Sequence, residues 1–283
     1  MATGALAGRT GLIVDPPQIL PLGFGLLSVA QMPPVTETDQ HWMMGVQFEE
    51  MGSAVAQIMQ GGITTPLTTE RMLDVQYGQA SAVAVQVVVD VSAVGRDPQM
   101  ARQRAAQFLD AAAPNVLETA IWTGITQDGS PVTPSLATST KISSDPVPLA
   151  AGVGILEEWL ADRYNGVGVI HAPRRLNAAM QRDLLVTTVA GHKETGLGTR
   201  VAFGVGYLPT DPTAGGDVPG GPLEDVPTWL CISPAVMVRQ SEDVIAPDVQ
   251  HSFATGSNRV VVAAQRQYLV AWEGQTAAIE VTA

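Results

Sequence analysis

The sequence predicts an α+β fold, on three observations. Valines at 83, 85, 87, 89 and 91 hold every second position, with Ala84, Gln86, Val88 and Asp90 between them, the period of a strand with one buried face. Soon after it, Pro98 opens an Ala-rich stretch whose apolar residues recur at three and four, the period of a long helix. Further strands and helices follow in mixed order, without the regular strand–helix alternation of a doubly wound sheet.

Taken in chain order, residues 1–40 are rich in Gly, Pro and Thr and keep neither period for long, so they read as an extended arm that cannot fold alone. Leu12, Ile13, Ile19, Leu20, Leu22, Phe24, Leu26 and Leu27 make the arm too apolar for a solvated tail. It is expected to lie on another surface, its own or a neighbour's. His41 to Glu50 alternates loosely as a strand does, and a long loop is expected around Gly61-Gly62 and Thr64-Thr65-Pro66. Gly95-Arg96-Asp97-Pro98 supplies a turn, an Asp N-cap and a Pro at the first helical position. The helix carries Ala101, Ala105, Phe108, Leu109, Ala112, Val116, Ala120 and Ile121 to about Trp122, so Phe108 is placed on the buried side. Pro114 removes a donor and crowds the preceding turn, and a kink or break is expected there.

Residues 124–148 read as loop, and a second helix shows Leu149, Val153, Leu156 and Leu160 on one stripe with Glu157, Glu158 and Asp162 off it. Asn165-Gly166 stops it. Val167, Val169 and Ile170 form a short buried strand, Pro173 opens a third helix with Leu176, Met180 and Leu184, and Gly191 ends that helix. Strands are then expected at Val201–Tyr207 and Trp229–Arg239, on either side of a Pro/Gly loop from Pro209 to Pro227. Val260–Trp272 and Ala277–Val281 read as two strands joined by a tight turn at Glu273-Gly274.

Of the 283 residues, 46% are hydrophobic and only 15% charged, which fits an ordered chain that hides surface in an oligomer. The net charge of −12 argues against holding nucleic acid by phosphate neutralisation or docking on an anionic membrane. Cys231 is the only cysteine, so an intrachain disulfide and a multi-cysteine zinc site are both excluded, and a reducing compartment is expected. The apolar stretch Ile19–Ala30 lacks a basic flank and is broken by Pro21, unlike a signal peptide. Ala80–Gly95 is interrupted by Gln86 and Asp90 and is too short for a membrane span.

No phosphate-loop, nucleophile-elbow, zinc-protease or EF-hand pattern occurs, and no catalytic, cofactor-binding or metal site is assigned. His41, His171, His192 and His251 are widely spaced and are taken as structural or surface histidines. Cys231 lies in the apolar run Trp229-Leu230-Cys231-Ile232 and is read as a buried small hydrophobe. Gly204, Gly206 and Tyr207 suggest a nucleotide loop, but no helix start follows, and close backbone packing at a bend is the better reading. Glu157 and Glu158 are read as a solvated helix face. Asp211, Asp217, Glu224 and Asp225 could meet calcium but lack the ligand alternation of an EF-hand.

The order of several strings is more specific than any one of them. SAVG (Ser92–Gly95), LETAIWTG (Leu117–Gly124), LEEWLA (Leu156–Ala161), GVGVIHAPR (Gly166–Arg174), TGLGTRVAFGVGY (Thr195–Tyr207) and VAWEG (Val270–Gly274) together resemble the major capsid proteins of tailed bacteriophages (Caudoviricetes) that infect actinobacteria. The resemblance implies a Hong Kong 97-type capsid fold and a structural protein rather than an enzyme. It divides the chain into an N-terminal arm (1–40), an extended loop with flanking strands (41–97), a peripheral domain with a long spine helix (98–146, joined by strands from 241–283) and an axial domain (147–240). It further implies an icosahedral virion shell of self-assembled pentamers and hexamers around double-stranded DNA, put together in the host bacterial cytoplasm. Scaffold, portal and cement proteins are the implied partners. Removing residues 1–35 is then expected to leave a soluble subunit that forms no stable shell, since the arm's leucines would have no intramolecular cover. The loop Pro209–Pro227 is expected at the axial tip. An encapsulin-like nanocompartment shares the fold and is the alternative reading. A small α+β hydrolase is the alternative from a different class. Some relatives cross-link a loop lysine to an asparagine, but the only lysines here are Lys141 and Lys193 and none lies between His41 and Gly95.

Overall fold

The computed structural model describes residues 19–34, 41–51, 76–92, 98–214, 228–247, 253–254 and 259–282. Among the described residues there are four α-helices: α1 (Leu26–Val29), α2 (Pro98–Thr123), α3 (Leu149–Ala161) and α4 (Leu176–Arg182). The strands in the first half are β1 (Val46–Glu50), β2 (Gln76–Ala80), β3 (Ala82–Ser92), β4 (Thr140–Lys141) and β5 (Val147–Pro148). The second half carries β6 (Val169–Pro173), β7 (Val186–Val189), β8 (His192–Thr195), β9 (Arg200–Gly204) and β10 (Thr228–Ser233). After these come β11 (Met237–Gln240), β12 (Val244–Ala246), β13 (Phe253–Ala254), β14 (Arg259–Ala271) and β15 (Ala277–Thr282). The class is α+β, as the mixed order of periods implies.

The valine strand is β3, and β14 pairs with it in antiparallel register from Arg259↔Ser92 to Leu269↔Ala82. The other edge of β14 takes β11, β12 and β13 in turn, which makes a five-stranded sheet. Spine helix α2 lies on this sheet. Its buried residues Ala101, Ala105, Leu109, Ala113, Leu117 and Ile121 meet Val85 and Val89 of β3 and Val260, Val262 and Ala264 of β14 in one cluster. The spacing of four, with small residues at three of the six positions, lets the helix approach the sheet closely.

A second sheet runs β4-β15-β10-β6-β9-β8-β7, with β5 also on β15. One face carries Ile170, Ala172, Val201, Phe203, Leu230 and Ile232, covered by Leu149, Val153, Leu156 and Leu160 of α3 and Leu176 and Met180 of α4. The opposite face carries Val169, Trp229, Cys231 and Ala278 and joins the α2 core. Both faces are therefore dry, which explains why β6 and β10 are buried at every residue. β1 and β2 form a separate antiparallel pair.

Several expectations change here. The buried stripe on α2 runs 101, 105, 109, 113, 117 and 121; of the series 108, 112, 116 and 120, also expected inside, only Ala120 is buried. Phe108 is 40% exposed and Val116 45%. Both series repeat every four residues and lie about 100° apart on the helix, so periodicity alone did not separate them. The helix is continuous through Pro114 and does not break. The carbonyl that loses its donor belongs to Asp110, an exposed residue whose backbone water can reach. Pro173 closes β6 and does not open a helix. α4 begins at Leu176, and Leu184 is 87% exposed in a left-handed conformation (φ 56°). Gly191 does not end a helix either. With Ala190 it makes the positive-φ turn of the β7–β8 hairpin (φ 46° and 89°). Val201–Tyr207 is strand only to Gly204, and Trp229–Arg239 is two strands in different sheets. β14 and β15 are likewise no hairpin, because the turn at Glu273-Gly274 carries the chain from one sheet to the other. The loop around Gly61, the Asp97 cap and residues 1–18 lie outside the described residues.

With Leu109 fully buried on this stripe, Leu109→Ala should destabilise the fold by about 2–5 kcal/mol. Phe108→Ala should cost well under half of that, because the ring is largely wet already. Urea unfolding of both variants beside the parent checks the pair.

Candidate functional site

One buried polar cluster lies where the arm, α2 and the bend after β9 meet. At its centre is Glu118, a buried carboxylate on the apolar side of α2. Its Oε1 accepts the backbone N–H of Leu26 (2.9 Å) and its Oε2 that of Gly206 (3.1 Å). Burial raises the Glu118 pKa, while the backbone N–H groups of Leu26, Gly206 and Val205 and the charge of Arg174 oppose that rise. Glycines make the room. A Cβ on Gly204 would stand 2.6 Å from Oε2, a Cβ on Gly25 would fall on Oε1, and one on Gly206 would stand 2.5 Å from the α2 backbone nitrogen of Thr119. Gly204 and Gly206 are thus close-packing residues at a bend, as read from the sequence.

The arm is tied down by main-chain hydrogen bonds and by buried side chains. Arg174 Nη1 donates to the Gly23 carbonyl (2.9 Å), Arg200 Nη1 to that of Val29 (2.8 Å), and the Phe203 N–H to that of Phe24 (2.6 Å). Gln31 then adds two backbone bonds, to Val236 (2.8 Å) and from Val238 (2.9 Å). Leu26 and Val29 are fully buried in the α2 core, so this part of the arm does have intramolecular cover. Removal of residues 1–35 would strip that cover, contrary to the expectation of an intact subunit. Ile19, Leu20 and Leu22 remain exposed, Leu20 at 76%.

A second buried network lies behind this one. The Ser233 hydroxyl donates to the Pro234 carbonyl (2.9 Å), so its oxygen accepts from His171 Nε2–H (2.8 Å), which leaves Nδ1 to accept from the Tyr207 hydroxyl (2.8 Å). Every polar atom is satisfied with the ring neutral. Burial lowers the His171 pKa to about 3 and pushes the Tyr207 hydroxyl well up. The serine proton points away from the histidine, the reverse of what a nucleophile–base pair needs, so this constellation does not perform hydrolase chemistry.

The other residues singled out by sequence are dispersed. Cys231 is buried on β10, where desolvation raises its thiol pKa far above the ordinary value. His192 pairs with Glu194 (2.6 Å) on β8, His41 starts a short 3-10 turn, and His251 lies outside the described residues. Glu157 is half-buried and accepts from the Thr195 hydroxyl (2.5 Å), so only Glu158 is a solvated carboxylate. Asp211 pairs with Lys141 and caps Thr213, while Asp217, Glu224 and Asp225 are not among the described residues. Lys141 also sits over the Trp229 ring (5.4 Å). The largely buried Lys193 donates to the Thr188 hydroxyl (2.7 Å) and stacks over Phe24 (5.3 Å). Among the described residues no group of three His, Cys, Asp or Glu side chains could hold a metal ion, and no helix is long and apolar enough to cross a membrane. Sequence reasoning missed Glu118. Its signal was a lone carboxylate between Leu117 and Ile121 in an otherwise apolar turn.

Comparison with known proteins places the fold. No protein-family model and no curated protein matches the chain. Solved structures do. A chain of Mycobacterium phage Ogopogo aligns at 13% identity with a TM-score of 0.53 and covers 100% of this chain and 99% of its own. A chain of the capsid of a native GTA particle with C5 symmetry aligns at 13% identity and TM-score 0.55, covering 100% and 98%. A chain of Gordonia phage Cozz gives 10% identity and 0.54, covering 98% and 92%. The chain shares the fold of these structures from end to end, and the Hong Kong 97-type capsid fold implied by the ordered strings is the fold it has.

The His171 network makes stability depend on pH. The unfolded chain protonates this ring below about pH 6.5 and the folded chain only near pH 3, so across that window acid weakens the fold by up to about 1.4 kcal/mol per pH unit. His171→Gln should lack this dependence. Chemical denaturation of parent and variant between pH 6.5 and pH 4 should give the parent the steeper loss.

Proposed function

We propose that this chain is a major capsid protein of a tailed bacteriophage, a structural subunit without enzymatic activity. The reading is carried by the end-to-end likeness to a chain of a GTA particle capsid, in which almost nothing of either chain is left over. Subunits assemble into pentamers and hexamers and these into an icosahedral virion shell that encloses double-stranded DNA, in the cytoplasm of the host bacterium. The acidic charge suits a container wall, since a chain at −12 does not bind its contents by phosphate neutralisation. Spine helix α2 with the β14 sheet forms the peripheral domain. The eight-stranded sheet with α3 and α4 forms the axial domain, and β15 belongs with it rather than with the peripheral strands. β1 and β2 are the base of the extended loop; of the loop Pro209–Pro227, expected at the axial tip, residues 215–227 lie outside the described residues. Scaffold, portal and cement proteins are the further partners.

Both lysines support a shell without covalent cross-links. Lys141 is held by Asp211 and the Trp229 ring, and Lys193 is largely buried against Thr188 and Phe24. The shell is then held by buried area and strand pairing.

Electron microscopy of the purified protein tests the reading: closed shells or capsomer rings are expected, and a chain that stays monomeric at every concentration would overturn it. Shells filled with a protein cargo in place of DNA would identify a nanocompartment instead. Boiled in detergent with reductant, particles should give one band near 29.6 kDa, and a ladder of multimers would refute the uncross-linked shell.

A further inference from the structure

β3 is the outermost strand of its sheet. It pairs with β14 along its whole length, Ala82 to Ser92, while β11, β12 and β13 all lie on the other edge of β14. Among the described residues no strand takes the outer edge of β3, so a row of backbone N–H and C=O groups about 30 Å long is left open. One end of that row is closed, where the Ser81 N–H donates to the Thr133 carbonyl (2.6 Å). Natural sheets blunt a long open edge with lysine, proline or a bulge. β3 contains neither residue, and its pairing with β14 runs from Ser92 to Ala82 without a bulge.

A flank of the spine helix overhangs the same edge. One position after the buried stripe, Arg102 donates to the carbonyls of Ile245 and Pro247, and Asp110 pairs with Arg266, which also holds Asp243. That flank of α2 therefore faces β12. One position before the stripe, about 100° round the helix the other way, lies the flank that faces out past β3. It carries Met100, Phe108 and Val116, all exposed, with Arg104 and Ala112 between them. Strand edge and apolar helix flank thus form one continuous strip.

We propose that this strip is a two-fold interface with a second copy of the chain, in which the two β3 strands pair antiparallel and the two spine helices pack side by side. The inference deepens the capsid reading and rests on it for the identity of the occupant. Full overlap of the strands puts Val87 on the dyad and sets Ala84 of each copy opposite Asp90 of the other. Because α2 rests on both β3 and β14, strands about 4.8 Å apart bring the two helix axes to about 10 Å, the spacing of packed helices. Phe108, near the middle of α2, then meets its own copy beside the dyad, and Met100 meets Val116. No like charges oppose each other, since Asp90 falls against Ala84 and Arg104 against Ala112. A strip roughly 30 Å long and 20 Å tall, one sheet layer plus one helix, covers about 600 Å² on each copy and about 1,200 Å² in all, the size at which specific interfaces begin.

Disulfide trapping of the purified full chain in solution tests the register, because residues opposite one another in an antiparallel pair stand about 5 Å apart at Cα, within disulfide range. Chains carrying Ala84→Cys and chains carrying Asp90→Cys, mixed and mildly oxidised, should give a covalent dimer on a non-reducing gel. Asp90→Cys gives up only an exposed ion pair with Arg259. Either variant alone should stay monomeric, since each new cysteine lies about 20 Å from its own copy and Cys231 is buried. Phe108→Lys in both chains should abolish the dimer by setting two ammonium groups against each other. Phe108→Lys in one chain with Phe108→Glu in the other should restore it, which a merely misfolded chain would not do. Absence of the mixed dimer, equal linking of either variant alone, or linking that ignores Phe108→Lys would overturn the interface. Closed shells without the mixed link would refute the interface and leave the capsid reading standing, and the mixed link in a chain that never closes a shell would do the reverse.

Discussion

The placement of α2 against two sheets at once is the constraint on which the rest of the structure hangs. Its first half lies flat on β3 and β14 through Ala101, Ala105, Leu109 and Ala113, and its last turns reach the inner face of the other sheet through Ile121 and Trp122. Trp122 stacks on Tyr207 (5.4 Å between centroids) and donates from its indole nitrogen to the Thr210 carbonyl (3.3 Å). On the side of this helix turned to the sheets, a buried polar group must find a partner inside the protein.

Two devices meet that demand in different ways. Glu118 stays at the boundary and recruits backbone N–H groups from two other segments, which turns the cost of a buried carboxyl into a tie between the arm, the helix and the β9 bend. His171 is buried outright and stays neutral, threaded between Tyr207 and Ser233 with no unmet donor or acceptor. Backbone N–H groups offset the burial of the first, while the second avoids charge altogether. The folded state binds a proton more tightly than the unfolded chain at Glu118 and less tightly at His171, so acid acts on the two with opposite sign.

A subunit built this way exposes apolar residues that its own core does not use: Leu20 and Leu22 on the arm, Phe108 and Val116 on the spine helix, and Leu184 and Leu197 by the β7–β8 hairpin. Singly, such residues are ordinary on a surface. They are spread over the arm, the spine and a hairpin, the surfaces that the proposed shell would cover with copies of the chain.

Local chemistry in the sequence determined the elements that carry a strong period or a strong cap: the valine strand β3, the helix opening at Pro98, and α3 with its Leu149, Val153, Leu156 and Leu160 stripe. It also determined the α+β class, the structural nature of Cys231 and the close packing at Gly204 and Gly206, because thiol burial and missing side chains have local signatures. Tertiary structure alone decided which of two equivalent i+4 series on α2 turned inward, since an Ala-rich helix offers both and only the sheet chooses. It decided that β14 and β15 part company at Glu273-Gly274, because a turn sequence specifies a change of direction and not the partner met afterwards. Glu118 belongs to the same class. Its neighbours Leu117 and Ile121 show that the turn is apolar, but the donors that make its burial possible come from Leu26 and Gly206, far off in the chain, and no local pattern announces them.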